Sequence, residues 1–317
     1  MLADMLGRRL LLGAVTLFFT LTLVFVIIRM VPSDPATVLM MGEATPEQLD
    51  RLRELWGLDK SIVEQFFIYL ANLVQGNAGD SYQFQRVAGM PGVPVFDLVM
   101  NRLPATGYLA LVAIIFSMLI ALPLGILAAL FPDSILDKLV LMLASVLASV
   151  PAFFSGMLLM LFFSLTLRIL PTGGYDTPQS VILPALALSF SFSAVLLRVT
   201  RTEMARIMRS EFIQTVRAKG LRSWRIVLVH ALKNAMIPLL TIIGLRFGDL
   251  LAGSVVVETL FRWPGIGGLM IDSIIARDYP VVQLVIPLAA LAFIIVNITV
   301  DVLFGALDPR LRTGGRS

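Results

Sequence analysis

The sequence predicts an all-α polytopic membrane protein with about six transmembrane helices and both termini in the cytoplasm. Three observations carry that prediction. Of the 317 residues, 58% are hydrophobic and only 15% are charged, and the mean hydropathy is +0.90. A soluble domain carries about 25% charged residues. The deficit suits a bilayer, where a charge at the centre costs roughly 2.5–3.5 kcal/mol. Six apolar runs lie at about 10–30, 105–130, 139–167, 181–200, 236–257 and 284–307, each near the ~20 residues that a spanning helix needs. With the N-terminus inside, the cytoplasmic pieces hold 15 Lys and Arg and the outer pieces hold 8, as the positive-inside rule requires.

The first run reads as a retained signal-anchor helix, because no small-x-small cleavage site precedes Pro32. Pro32-Ser33-Asp34-Pro35 ends it, since proline cannot continue a helix. The segment Val31–Arg102 is the one sizeable soluble piece and is expected outside. Within it, Thr45-Pro46-Glu47-Gln48 is a capping box with proline at the first helical position. Leu49, Leu52 and Leu55 follow on one face, and Gly57 can stop that helix. Ser61-Ile62-Val63-Glu64 is a second box, opening a helix through Phe66, Tyr69, Leu70 and Leu73 that ends at Gly76-Asn77. Ala78–Val95 is rich in Gly and Pro and reads as loop. Two short helices and a loop can hardly fold alone, so they are expected to pack on the mouth of the helix bundle.

The third run is over-long and contains Pro151, which predicts a kink or tilt. Pro123 and Pro287 also lie inside spans, where neighbouring helices can satisfy the freed backbone groups. Phe131-Pro132-Asp133-Ser134 is a short inner turn and Pro171-Thr172-Gly173-Gly174-Tyr175 an outer one. Glu258–Gln283 is too apolar for a free tether and is expected to fold back against the bundle.

The fourth and fifth runs are separated by a basic stretch. Arg198–Ala235 holds nine Lys and Arg against two Glu. Glu203–Lys219 contains neither Gly nor Pro and has helical composition. Met204, Ile207, Met208, Glu211, Phe212, Thr215 and Val216 follow i, i+3, i+4 spacing, which predicts one apolar stripe. Gly220 stands where a helix C-terminal glycine would. Ser223 can cap a second helix, whose Ile226, Val227, Val229 and Leu232 lead to Pro238. The charge alone fits the positive-inside rule, an amphipathic helix on anionic lipid, a solvated face or a protein-docking surface. An ordered break between two amphipathic halves speaks for docking.

Arg217-Ala218-Lys219-Gly220-Leu221, followed by His230-Ala231-Leu232-Lys233-Asn234-Ala235-Met236-Ile237-Pro238, resembles the cytoplasmic loop of ABC-importer permeases of the dipeptide/oligopeptide/nickel branch. Pro32–Pro35, Leu58-Asp59-Lys60, Pro171–Gly174, Val257–Gly265, Arg277–Pro280 and Leu307–Arg310 resemble the same branch, so the likeness runs the length of the chain in order. One departure is that Gln214-Thr215-Val216 stands where the wider superfamily has Glu-Ala-Ala. The resemblance divides the chain into an N-terminus with the first helix (1–30), an extracytoplasmic segment (31–103) and a permease core (104–317) with its coupling loop at 201–235. It implies that Arg217, Ala218, Lys219, Gly220 and Leu221 contact an ATPase subunit. It implies a second permease as a heterodimer partner, two ATP-binding subunits and an extracytoplasmic solute-binding protein. No cofactor is expected on this chain, since it carries no G-x-x-x-x-G-K-[ST] phosphate loop; ATP and Mg would sit on the partners. The location implied is a prokaryotic inner membrane and the cargo a peptide or similar small solute.

Two polar residues lie deep in the fifth run. Arg246 and Asp249 are three apart and can share one face. They are candidates for the translocation path, or else for a structural pair or a contact with the partner permease. Asn297 and Asp301 read as structural residues, and His230 as a packing or docking residue. The chain has no cysteine and one histidine, which leaves no metal-site pattern and argues against a membrane enzyme. An ion-gradient transporter is the remaining rival, with Asp249 as its one deep carboxylate.

Overall fold

A computed structural model describes residues 2–30, 45–55, 57–82 and 92–307. Pro32–Pro35 and Asp308–Arg310 lie outside the described residues, as do the side chains of Leu52, Leu55, Asp249 and Asp301. The helices are α1 (Leu2–Met30), α2 (Pro46–Leu55), α3 (Ile62–Val74), α4 (Val95–Leu130), α5 (Ile135–Ser149), α6 (Ala152–Leu159), α7 (Ile182–Met208), α8 (Glu211–Ala218), α9 (Leu232–Leu260), α10 (Ile266–Ile275) and α11 (Tyr279–Leu307). A π turn at Met160–Thr166 extends α6, a 3-10 turn at Pro178–Val181 leads into α7, and Ser223–Ala231 runs into α9 through a further π turn.

Among the described residues, five stretches are long and apolar enough to cross a membrane: Gly7–Met30, Val95–Leu130, Pro178–Met208, Ser223–Gly248 and Tyr279–Thr299. A further pair, Ile135–Ser149 with Ala152–Thr166, is long and apolar enough only when taken together, and it is bent by 101°, the geometry of a broken span or of a re-entrant loop. Pro151 gave the kink, but the bend is far sharper than a tilted helix. Val150 and Pro151 are both extended, at ψ 119° and 144°, so the helix stops and restarts. The other spans start earlier than the hydropathy suggested. The second opens at Val95, inside the stretch expected to be loop, and the fifth opens at Ser223, inside the basic stretch. Outward-facing Leu11, Phe19, Leu119 and Leu161 are each more than half exposed, as lipid contact allows.

The chain forms two compact units. The first is built on Gly107–Trp263, with residues from Phe293 onward. Here α7 is central, packed by α4, α5, α6 and α9 through small side chains. Ala121, Ala128, Ala144, Ala185, Ala187, Ser189, Ala194 and Thr200 are all fully buried. Small residues let helices approach where lipid gives no hydrophobic drive. Gly125 shows the limit: a Cβ there would lie 2.9 Å from the Leu197 carbonyl and 2.7 Å from the Thr200 Cβ.

The second unit comprises Gly7–Thr106 and Pro264–Ala292. It shows what the segment after α1 packs on. Val95 and Val99 of α4 bury against Ile266 and Leu269 of α10 and Val281, Leu284 and Val285 of α11. Phe25 of α1 stacks on Tyr69 at 5.7 Å and meets Phe66 edge-on at 5.2 Å. Asp278, 1% exposed, accepts from the Ser81 hydroxyl and from the Tyr82 N–H at 3.1 Å. The Tyr69 hydroxyl donates to the Gln283 carbonyl at 2.9 Å. Ser61 caps α3 by accepting from the Glu64 N–H at 3.3 Å, as its box predicts. The segment Glu258–Gln283 is accordingly ordered, with α10 in its middle.

Four helices close by the same device. At the ends of α2, α3, α9 and α10 the sixth residue's N–H bonds back to the first carbonyl: Leu58 to Arg53, Asn77 to Asn72, Trp263 to Glu258 and Asp278 to Ser273, at 2.7–2.9 Å. The residue before each donor is left-handed, the Schellman geometry. Gly57 and Gly76 take it without strain, whereas Arg262 (φ 50°) and Arg277 (φ 56°) take it despite a Cβ.

An ion pair joins α5 and α7 in the first unit. Arg201 of α7 grips Asp137 of α5 with both arms, Nε at 3.1 Å and Nη2 at 2.7 Å. Asp137 is 2% exposed and also accepts from the Asp133 N–H at 3.1 Å. Two turns along α5, Arg198 donates to Ser145 at 3.0 Å. Asp137→Ala should lower stability by on the order of 3 kcal/mol, because it strands a partly buried guanidinium. The exchange Asp137→Arg with Arg201→Asp should recover part of it. The check is the thermal unfolding midpoint in detergent; equal midpoints for wild type and Asp137→Ala would remove the clamp from the account.

Candidate functional site

The basic stretch is largely helical, and its two faces differ. α7 ends at Met208, the chain breaks at Arg209-Ser210, and α8 follows. The single helix expected over Glu203–Lys219 is therefore two. The break also resets the phase. Met204 and Ile207 are buried before it; after it the buried residues are Ile213 (0%) and Val216 (7%), while Phe212 is 50% exposed. The predicted stripe through Phe212 and Thr215 is displaced by one residue. Ser210, extended at ψ 152°, starts α8 and its hydroxyl donates back to the Ile207 carbonyl at 2.7 Å.

The anchor is continuous with the span core. Met204, Ile207, Ile213, Val216, Ile226, Val227 and Ala231 belong to one cluster with Ala128, Ala129, Val140 and Leu196. Of the five residues expected to make contact, Arg217, Ala218, Lys219 and Gly220 are exposed, and Leu221 is half-buried against that cluster. Gly220 is left-handed at φ 75°, which reverses the chain without steric cost. Its N–H bonds the Arg217 carbonyl at 2.9 Å. Arg222, not Ser223, precedes the next helical turn, and the Ser223 side chain makes no cap. Val229, expected on the apolar face, is 46% exposed. His230 is half-buried with its ring 6.3 Å from that of Phe212, a packing role. Trp224 and Leu228, each more than half exposed, border a groove of about 590 Å³ that Arg217 and Phe131 also line.

The break in the third span borders a smaller pocket of about 280 Å³. Ser149, Val150 and Pro151 line it with Ser191 and Phe192 of α7 and with Arg246 of α9. The side chain of Asp249 lies outside the described residues, so its pairing with Arg246 is not part of this geometry. Asn297 donates to the Phe293 carbonyl four residues earlier at 2.9 Å, a structural bond.

Two distant sequence segments meet in the first unit. The Gly174 N–H bonds the Phe261 carbonyl at 2.8 Å, and a Cβ on Gly173 would run into the Phe261 backbone. Trp263, 3% exposed, stands between the rings of Tyr175 at 4.8 Å and Tyr108 at 6.3 Å. Glu258 is fully buried at the same helix end. Sequence reasoning missed the Asp137–Arg201 clamp. The signal was faint: Ser134 accepts from the Asp137 N–H at 3.2 Å, and that Ser-x-x-Asp spacing marks a helix start, not a partner 64 residues away.

Residues 1–110 match the N-terminal model for membrane components of binding-protein-dependent transport systems. Residues 121–313 match the model for the inner membrane component of the same systems. The chain belongs to that family. It is a permease subunit of an ABC importer, a multi-pass protein of the inner membrane. The glutathione transport system permease protein GsiC of Escherichia coli strain K12 is 41% identical over 303 residues, covering 95% of this chain and 97% of that protein. GsiC of Shigella boydii serotype 4 is 40% identical over the same coverage. A structure of the MetNI methionine ABC transporter in an inward-facing conformation superposes with a TM-score of 0.59 at 18% identity, over 69% of this chain and all of that one, a likeness of fold. Membership makes the chain a transport subunit that works with ATPase subunits, a substrate-binding protein and a second permease, and it sets the ion-gradient reading aside.

Ile213→Ala should loosen α8 by about 2–5 kcal/mol, the loss on emptying a buried aliphatic site. Limited trypsin digestion in proteoliposomes should then cut at Arg217 or Lys219 faster than in wild type. Unchanged cleavage would mean that Ile213 does not hold the loop.

Proposed function

We propose that this chain forms half of the translocation path of an importer for peptides or similar small solutes, and that its loop 201–235 docks on an ATPase subunit. The observation that carries the reading is the loop's two-sidedness. Ile213 and Val216 tie α8 to the span core, and the Arg217–Gly220 turn stands exposed beyond it. A helix fixed in this way can pass displacement to the spans, whereas a loose loop would absorb it. Arg217 and Lys219 would meet acidic or polar groups in the partner's groove, and Phe212, Trp224 and Leu228 would supply apolar contact.

The charge asymmetry puts the loop and both termini in the cytoplasm. The assembly would be two permeases as a heterodimer, two ATP-binding subunits that hold ATP and Mg, and an extracytoplasmic solute-binding protein. The GsiC relatives support a peptide-like cargo. The pocket beside the broken third span, with Arg246 in its wall, is the part of this chain best suited to line the path, since an interrupted helix can offer backbone polar groups to a solute.

Arg217→Glu combined with Lys219→Glu should abolish copurification of the ATPase subunits while membrane insertion stays intact. Gly220→Pro should do the same, because proline cannot adopt a φ of 75°. Retention of the ATPase subunits by both variants would end the docking assignment. Arg246→Gln should change substrate-stimulated ATP hydrolysis in the reconstituted complex; identical kinetics would leave Arg246 a structural residue.

A further inference from the structure

The second unit contains a cleft of about 560 Å³ that the transport reading leaves unused. Its volume falls within the roughly 300–1,000 Å³ of small-molecule sites. The walls come from the last turn of α1, the α2–α3 pair, the stretch that follows α3 and the start of α11, and they are predominantly polar.

Two residues lining it carry a buried polar atom with no hydrogen-bond partner among the described residues: the Nε of Arg29, a donor, and the Oε1 of Gln65, an acceptor. Buried polar atoms in folded proteins are nearly all paired, so an orphaned donor and an orphaned acceptor at one cleft point to an occupant. Arg29 lies in the last turn of α1 with its guanidinium 5.2 Å from the Phe25 ring centre. No carboxylate pairs with it among the described residues. Gln65 is fixed in place, its Nε2 donating to the Lys60 carbonyl at 2.8 Å and to the Leu58 carbonyl at 3.3 Å. Its other end is therefore aimed by the fold. Burial pushes the phenols of Tyr69 and Tyr82, which also line the cleft, above their ordinary range, so both stay neutral and neither competes with an anion for Arg29. Asp80 and Glu54 add negative charge to the same walls.

Among the described residues, one wall thus offers a cation without a carboxylate partner, and the others offer carboxylates and an unmatched acceptor. We propose that this cleft binds a small zwitterionic solute bearing a free carboxylate, with the Arg29 guanidinium holding the carboxylate and the Gln65 Oε1 receiving an N–H, directly or through one water. It shares no lining residue with the pocket at the break after α5. The peptide class of the solute rests on the transport reading; the zwitterion chemistry rests on the cleft alone.

The test uses the full-length chain in lipid nanodiscs, without ATPase subunits, so that failure of binding and failure of docking are separate results. Isothermal titration compares trialanine, trialanine amide and N-acetyl-trialanine. Trialanine should bind, and the amide should bind about ten- to a hundredfold more weakly, the usual effect of losing a charge-assisted hydrogen-bonded pair. Arg29→Gln should erase the difference between acid and amide, and Arg29→Lys should keep part of it. Equal affinity of wild type for acid and amide, or no binding of any of the three, overturns the proposal. So does an Arg29→Gln variant that melts as wild type does and keeps the preference. If Arg29→Gln fails to fold, the acid–amide comparison on wild type decides alone.

Discussion

A helix that stops in or beside a bilayer leaves amides and carbonyls that lipid cannot satisfy, so every stop must be closed by the chain itself. Much of this architecture follows from that constraint. The ends of α2, α3, α9 and α10 each fold a left-handed residue back over the last turn and return two N–H groups to it. The turn at Gly173-Gly174 lends a further N–H to the Phe261 carbonyl at the end of α9. The same need explains why Arg262 and Arg277 accept a conformation that glycine adopts freely. Strain of about 1–2 kcal/mol at one residue is smaller than the loss from a buried carbonyl left unbonded.

The spans were legible because lipid imposes a long apolar run, and such a run cannot be hidden. The helix ends were less so. Residues Val95–Pro104 and Ser223–Ala235 are too polar to register as membrane segments, yet both are helical continuations of spans. Hydropathy reports where lipid begins, whereas the helix goes on into water or protein. Pro151 marked the broken span, but a proline encodes an interruption and not its angle. The break at Arg209-Ser210 has no glycine or proline to announce it. Its one trace is Ser210 followed by Glu211, an ordinary helix start, and it was masked by an apolar periodicity that continued across it by coincidence.

The candidate site divides along the same line. Exposure of Arg217–Gly220 and the reversal at Gly220 were readable, since charge and glycine are local signals. What holds them was not. Asp137 and Arg201 are 64 residues apart, and each looks alone like a charge at a span end. Together they join the start of α5 to α7 two turns before the break at Arg209-Ser210. A push on α8 therefore has a hard connection to the helix that leads to the broken span. The cleft around Arg29 was equally invisible, because its walls come from four stretches of chain whose polarity suggested only a soluble insertion.

The π turn at Ile226–Ala231 has a consequence for how one helix serves two surroundings. A uniform α-helix from Ser223 to Leu260 would fix every side chain in a single rotational frame. The direction of Trp224 and Leu228 would then be dictated by whichever residues thirty positions on must face lipid or the bundle. A wider turn inserts an angular offset between the two halves. The half before it can be aimed at a partner, and the half after it at the membrane interior, and each can change its sequence without re-aiming the other.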